Sequence, residues 1–344
     1  MTEQKHRTTY LDIIRIVACV MVITMHAPIP GEGALAHSSF LVLSSYLTSP
    51  CVPLFFMVSG ALLLPCKEGV TANSYIKKRI GKIVGPTICF SIFYIMLNGS
   101  DLSVKEGVTD LFSIPFTAQG HGILWFMYTL AGLYLLVPIV SPWLRNASKH
   151  EIEIYLALWL VTLLYPYIGL VLKINTSNTG LLYYFSGYAG YFLLGHYMSR
   201  YALSLRWLLS LVLLMLPLPV LNKVLGWELD FYSAFWYLSA PVAIMAAGWF
   251  ALIKIIFEKI EMGKTLLGFI TMVSNLSFGI YLIHIFVMRT LLYEWSVIQG
   301  FGNYYMQTFT VVMLTCIGSF VICYIISKLP LSQYIIGYTV HKKK

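Results

Sequence analysis

The chain has 344 residues, 58% of them hydrophobic and only 11% charged. A soluble domain carries about 25% charged residues, so this composition excludes disorder, a coiled coil, most cytosolic enzymes and a large extramembrane domain. The net charge of +9 is assigned to loop cations that set membrane topology rather than to a nucleic-acid surface. Continuous apolar runs predict an all-α, polytopic integral membrane protein with about ten transmembrane helices. The runs are too long for barrel strands of about ten alternating residues.

In chain order, helices are expected near 9–28, 40–64, 79–98, 123–144, 152–172, 181–199, 206–222, 235–257, 267–291 and 305–327. The seventh is short and holds Pro217 and Pro219, which predicts an irregular or tilted span. With the N-terminus in the cytoplasm, 19 of the 23 basic residues fall in inner segments. The four outer ones are Lys105, Lys173, Lys223 and Arg289. This asymmetry predicts both termini cytoplasmic and an even number of spans. Ala34-Leu35-Ala36 resembles a signal-peptidase site, but Asp12 and Arg15 interrupt the apolar core a signal would need. The six cysteines lack CxxC spacing and read as small hydrophobes, and no metal site is expected. Residues 1–344 are expected to form one transmembrane domain.

Ionisable residues at depth ask for a reason, because each costs a few kcal/mol to insert. The first helix carries Asp12, Arg15 and His26. Eleven residues at 100° each bring Arg15 and His26 to one face, roughly 16 Å apart along the axis. One face thus presents a fixed cation at the inner end and a titratable base at the outer end. The bland alternative has Arg15 snorkelling beside Asp12 while His26 caps the outer end.

Six blocks then occur in a recognisable order: YLDIIRIVACVMVITMHA (10–27), FFMVSGALLL (55–64), KKRIGKIVGP (77–86), HGILWFMYTLAGLYLL (121–136), YFLLGHYM (191–198) and SFGIYLIH (277–284). Together they resemble the membrane-bound acyltransferase-3 family, whose signature is Arg or Lys, ten residues, then His. Arg15 and His26 match that spacing. The resemblance implies transfer of an acyl group, usually acetyl, from cytoplasmic acyl-CoA to a hydroxyl of an extracytoplasmic glycan or lipid-linked saccharide. It also implies a bacterial inner membrane. Some relatives carry an SGNH-type hydrolase domain; none is expected here, where the sequence ends at HKKK.

The chemistry suits these residue types. A hydroxyl attacking a thioester needs a base, and His26 supplies one near neutral pH, directly or as an acyl relay. Glu32 is the nearest outer carboxylate able to orient it, with Asp101, Glu106, Asp110, Glu228, Asp230 and Glu294 as other outer candidates. Lys77, Lys78, Arg79 and Lys82 are expected near the donor's phosphates, with Arg15 contacting its arm. An ordinary positive-inside cluster explains the same lysines. His121 and Trp125, four apart, are expected on one helical face as acceptor contacts. His284 and Tyr281, at i and i−3, read as acceptor contacts or as a packing hydrogen bond. His196 reads as donor-side or structural, and His6, His37, His150 and His341 as solvated. Ser59 and Gly60 read as a close helix approach. Outer-edge aromatics, Tyr237 among them, suit sugar stacking or interface anchoring. Acyl-CoA, the bilayer and a saccharide acceptor are the expected partners, with oligomeric state open. The rival function is a transporter using Arg15, His26 and Asp12 along a substrate path. The matched inverted halves of many transporters are not evident in the sequence.

Overall fold

In a computed structural model of the chain, residues 3–30, 37–98, 104–118, 120–174 and 180–340 are described. Among them every regular element is a helix. The first half contains α1 (Glu3–His26), α2 (Ser38–Thr48), α3 (Cys51–Leu63), α4 (Ala72–Asn98), α5 (Val104–Ser113), α6 (Trp125–Asn146), α7 (Lys149–Leu163) and α8 (Tyr165–Leu172). The second half contains α9 (Ala189–Arg200), α10 (Leu205–Met215), α11 (Leu218–Val224), α12 (Phe231–Ala234), α13 (Ala240–Phe257), α14 (Lys264–Ile285), a π-helix (Phe286–Leu292), α15 (Ser296–Gln299) and α16 (Tyr304–Ile326).

Among the described residues eight helices are long and apolar enough to cross a bilayer, and nine if α7 and α8, bent by 52°, act as one span. The expected sixth span is the exception. Residues 181–199 form a short 3-10 turn (Tyr183–Phe185) and then the 12-residue α9. At 1.5 Å per residue α9 is about 18 Å long, well under a ~30 Å hydrocarbon core. Gly187, at φ +95°, breaks the helix before α9, and its carbonyl accepts the Trp159 indole N–H at 2.9 Å. The expected irregularity at the seventh span is present as the α10–α11 break. Pro219 has no N–H for the Met215 carbonyl, and the Tyr46 hydroxyl donates to that carbonyl instead, at 2.8 Å.

The chain divides into two compact units, Met1–Pro65 with Ser141–Thr271 and Cys66–Val140 with Met272–Lys344. In the first unit α3 and α9 pack against each other, and α1 lies on α3 and α13. The α3–α9 seam is glycine-lined on both sides. A Cβ on Gly60 would stand 1.8 Å from the Phe192 carbonyl oxygen, and one on Gly195 would stand 1.9 Å from that of Met57. Only bare backbone permits this approach, as the Ser59–Gly60 expectation required. In the second unit the segment after α16 folds back. Tyr334 packs on Gly85 of α4, and the fully buried Ile336 packs on Gly279 of α14. The six cysteines are free thiols.

Candidate functional site

The first unit carries Asp12, Arg15 and His26 on α1. Pro28 ends this helix: it lacks an N–H and disfavours helical geometry at Ala27. His26 therefore occupies the last turn. At 100° per residue, the buried Leu11, Ile14, Ala18, Cys19, Val22, Ile23 and Met25 span an arc containing the Arg15 and His26 positions. Val20, 43% exposed, lies on the other side. Both positions are partly exposed. That exposure arises within the packed face of α1, not on the face Val20 occupies. Arg15 pairs with Asp12 across 3.9 Å, one turn back, as the snorkelling alternative has it. Glu32 lies outside the described residues.

At Met25, beside His26, the structure adds a residue that the sequence offered only for sugar stacking or interface anchoring. The buried Tyr237 hydroxyl donates to the Met25 sulfur at 3.3 Å, and the Tyr237 carbonyl accepts the Tyr191 hydroxyl at 2.5 Å. Trp159 stacks edge-on against Tyr191 at 4.8 Å. A packed aromatic wall thus braces the His26 end of α1. Elsewhere in this unit His196 is fully buried, and its Nδ1–H donates to the Leu64 carbonyl at 2.8 Å at the C-terminal end of α3, which fits the structural reading.

The second unit carries the other expected residues. The basic block lies on the first turns of α4, which starts earlier than the expected span. Lys77, Lys78 and Lys82 are exposed and Arg79 is half-buried. Lys78, Arg79 and Lys82 share one side of α4, with Lys77 roughly opposite. Tyr75, one turn before Arg79, was not foreseen. Its hydroxyl is buried with no hydrogen-bond partner, and it interacts electrostatically with Arg79.

His121 and Trp125 do not share a helical face. Gly120 adopts φ +83°, which a Cβ would strain, and His121 follows in extended geometry as a cap. Its Nδ1 accepts the Ile123 N–H at 3.2 Å, and α6 begins only at Trp125. The four-residue spacing therefore spans a cap and a 3-10 turn rather than a helix. Burial first, and the Arg289 guanidinium second, hold the His121 imidazole below the usual histidine range. Tyr281 and His284 are 4% and 0% exposed. The Tyr281 hydroxyl donates to the Ile123 carbonyl at 2.7 Å, and the His284 Nδ1–H donates to the Tyr281 carbonyl at 2.6 Å. The pair is joined through backbone, and the Tyr281 bond ties the turn before α6 to α14, which fits the packing reading.

A family profile described as an acyltransferase domain matches residues 8–328. The chain belongs to the acyltransferase-3 family. Comparison with curated proteins and with solved structures finds no match. The family match runs from residue 8 within α1 to just past α16, so Arg15 and His26, the basic start of α4 and the His121 cap all lie within it. This membership makes the chain a transmembrane acyltransferase.

Proposed function

We propose that this acyltransferase moves an acyl group, acetyl in the simplest case, from cytoplasmic acyl-CoA to a hydroxyl of an extracytoplasmic glycan or lipid-linked saccharide. The setting is the cytoplasmic membrane of a bacterium, with both termini inside. In this reading His26 takes the proton of the attacking hydroxyl, the new C–O bond forms as the thioester C–S bond breaks, and the proton leaves with the coenzyme thiol. An acyl-histidine relay uses the same side chain. Arg15, eleven residues earlier on the same helix edge, holds the donor's arm or its nearest phosphate. In the second unit Lys78, Arg79 and Lys82 are by themselves candidates to hold donor phosphates, whose charges are too costly to desolvate deep in the bilayer.

The observation that carries this reading is the common edge of Arg15 and His26 within the packed face of α1. A side chain meant only to snorkel or cap has no need of that placement. The test is acetyl-CoA consumption by purified protein in detergent, read as release of free coenzyme thiol. Wild-type protein consumes the donor with a saccharide acceptor present. His26→Ala loses turnover yet still binds coenzyme A. A transporter neither binds nor consumes it, and that result would refute the proposal.

A further inference from the structure

Arg289 has no role in the chemistry above, although a guanidinium in a span demands one. It lies in the π-helix Phe286–Leu292, which continues α14. The widened turn is closed by the Tyr293 N–H donating to the Met288 carbonyl at 3.0 Å. π-turns interrupt helices mostly at functional sites, because the extra residue re-aims the side chains around it. Arg289 is exposed, and among the described residues no carboxylate lies within ion-pair distance of it.

The segment around Arg289 packs on α4, which also carries the contact to the His121 cap. Phe93 of α4 packs on Phe286 at 5.2 Å, one turn before Arg289. The neighbouring Tyr94 donates its hydroxyl to the Leu282 carbonyl at 2.8 Å, and its ring lies 5.3 Å from the His121 ring. His121 is thereby held beside the start of the π-helix, and the guanidinium acts electrostatically on His121, Tyr94 and Tyr293. Because Nδ1 of His121 accepts the Ile123 N–H, the neutral ring carries its proton on Nε2. The cluster therefore offers guanidinium N–H groups and an imidazole N–H, with the Tyr94 hydroxyl already committed to backbone. A planar cationic fork beside a neutral donor is the pattern that recognises phosphate oxygens.

We propose that Arg289 and the Nε2–H of His121 form a binding site for a phosphate group carried by the membrane-anchored acceptor. This rests on the acyltransferase reading above and narrows its acceptor to a lipid-linked, phosphate-bearing saccharide. Arg289 ends a span, at the depth where such a phosphate sits between lipid and water. An ordinary phospholipid headgroup offers the same chemistry, so the test separates the two sources.

Full-length protein in a neutral maltoside detergent is titrated with farnesyl phosphate, farnesol and phosphatidylglycerol at matched mole fractions, with intrinsic tryptophan fluorescence as the readout. Farnesyl phosphate should bind saturably and at least about tenfold more tightly than farnesol. Arg289→Gln should weaken it by about tenfold, Arg289→Lys by less, and His121→Asn by several-fold, with farnesol binding unchanged throughout. Unliganded melting temperatures of the variants show whether each is folded, and Arg289→Lys keeps the charge if Arg289→Gln misfolds. Equal binding of farnesol and farnesyl phosphate, or indifference to both Arg289 substitutions, overturns the site. Displacement of farnesyl phosphate by phosphatidylglycerol at equal concentration makes it a headgroup site and overturns the acceptor assignment. Acetyl-CoA consumption by wild-type protein is measured separately. Its absence defeats the acyltransferase chemistry while leaving phosphate binding standing.

Discussion

Arg15 and His26 share one helix of the first unit, whereas Arg289 and His121 come from distant segments of the second. Arg15 has a carboxylate one turn away, so its charge is partly neutralised within its own helix. Arg289 has none among the described residues, and its guanidinium acts on His121, Tyr94 and Tyr293, none of them a carboxylate. The contrast separates two uses of a cation in a membrane. A paired arginine is stable without a ligand. An arginine with no carboxylate at hand leaves its field for something that arrives.

The largest expected effect breaks the first pairing. His26→Ala should lower acyl transfer by about two to four orders of magnitude, the usual contribution of a positioned base. Measured release of coenzyme thiol checks this, with coenzyme A binding retained. If binding disappears together with turnover, His26 holds α1 in place rather than taking a proton. Next in size is the scaffold of that pairing. Gly195→Leu drives a side chain into the Met57 carbonyl and should cost about 3 kcal/mol or more. Loss of a monodisperse peak in size-exclusion chromatography reports it. Gly268→Ala, at a position with nothing within 4 Å of its Cβ, is the control that should stay folded.

A smaller effect sharpens the donor side. Arg79→Gln and Lys82→Gln should each weaken coenzyme A binding by about tenfold, the worth of one charged hydrogen bond. Lys77→Gln, roughly opposite on α4, should change it by less than about twofold. Equal losses from all three, measured by titration calorimetry, would reduce the block to a topology signal.

Much of this was legible in the sequence because helical periodicity is local. The Arg15–His26 edge needs only the 100° step along one helix, and the α10–α11 irregularity needs only Pro217 and Pro219. The α3–α9 contact was half legible: Gly60 marked a close approach, while its counterpart Gly195 is identified only by tertiary packing. Other features were hidden for a stated reason. His121 and Trp125 looked like one helical face, but positive φ at Gly120 turns the first of them into a cap. Residues 181–199 have the apolar length of a span, yet Gly187 stops the helix halfway. Arg289 was counted with the outer loop charges, because a π-helix leaves no sequence period that separates it from an ordinary helix end.

The smallest expected effect concerns pH and tests whether His121 is neutral beside Arg289. Burial and the guanidinium both hold its folded-state affinity for a proton below that of the unfolded chain, whose histidines titrate near about 6.5. As pH falls through that value, the unfolded state takes up a proton that the folded state refuses. Stability then drops with falling pH, and is fully present only above the unfolded value. His121→Asn keeps an oxygen that accepts the Ile123 N–H but removes the titration, so its thermal midpoint should fall less between pH 7 and pH 5 than that of wild-type. The remaining histidines titrate in both proteins and cancel in the difference. Arg289→Gln removes the second of the two causes and should shrink the wild-type acid loss without abolishing it, since burial remains. An identical acid limb in wild-type and His121→Asn protein would mean that His121 accepts a proton freely. It would then stand too far from Arg289 to act as its partner donor.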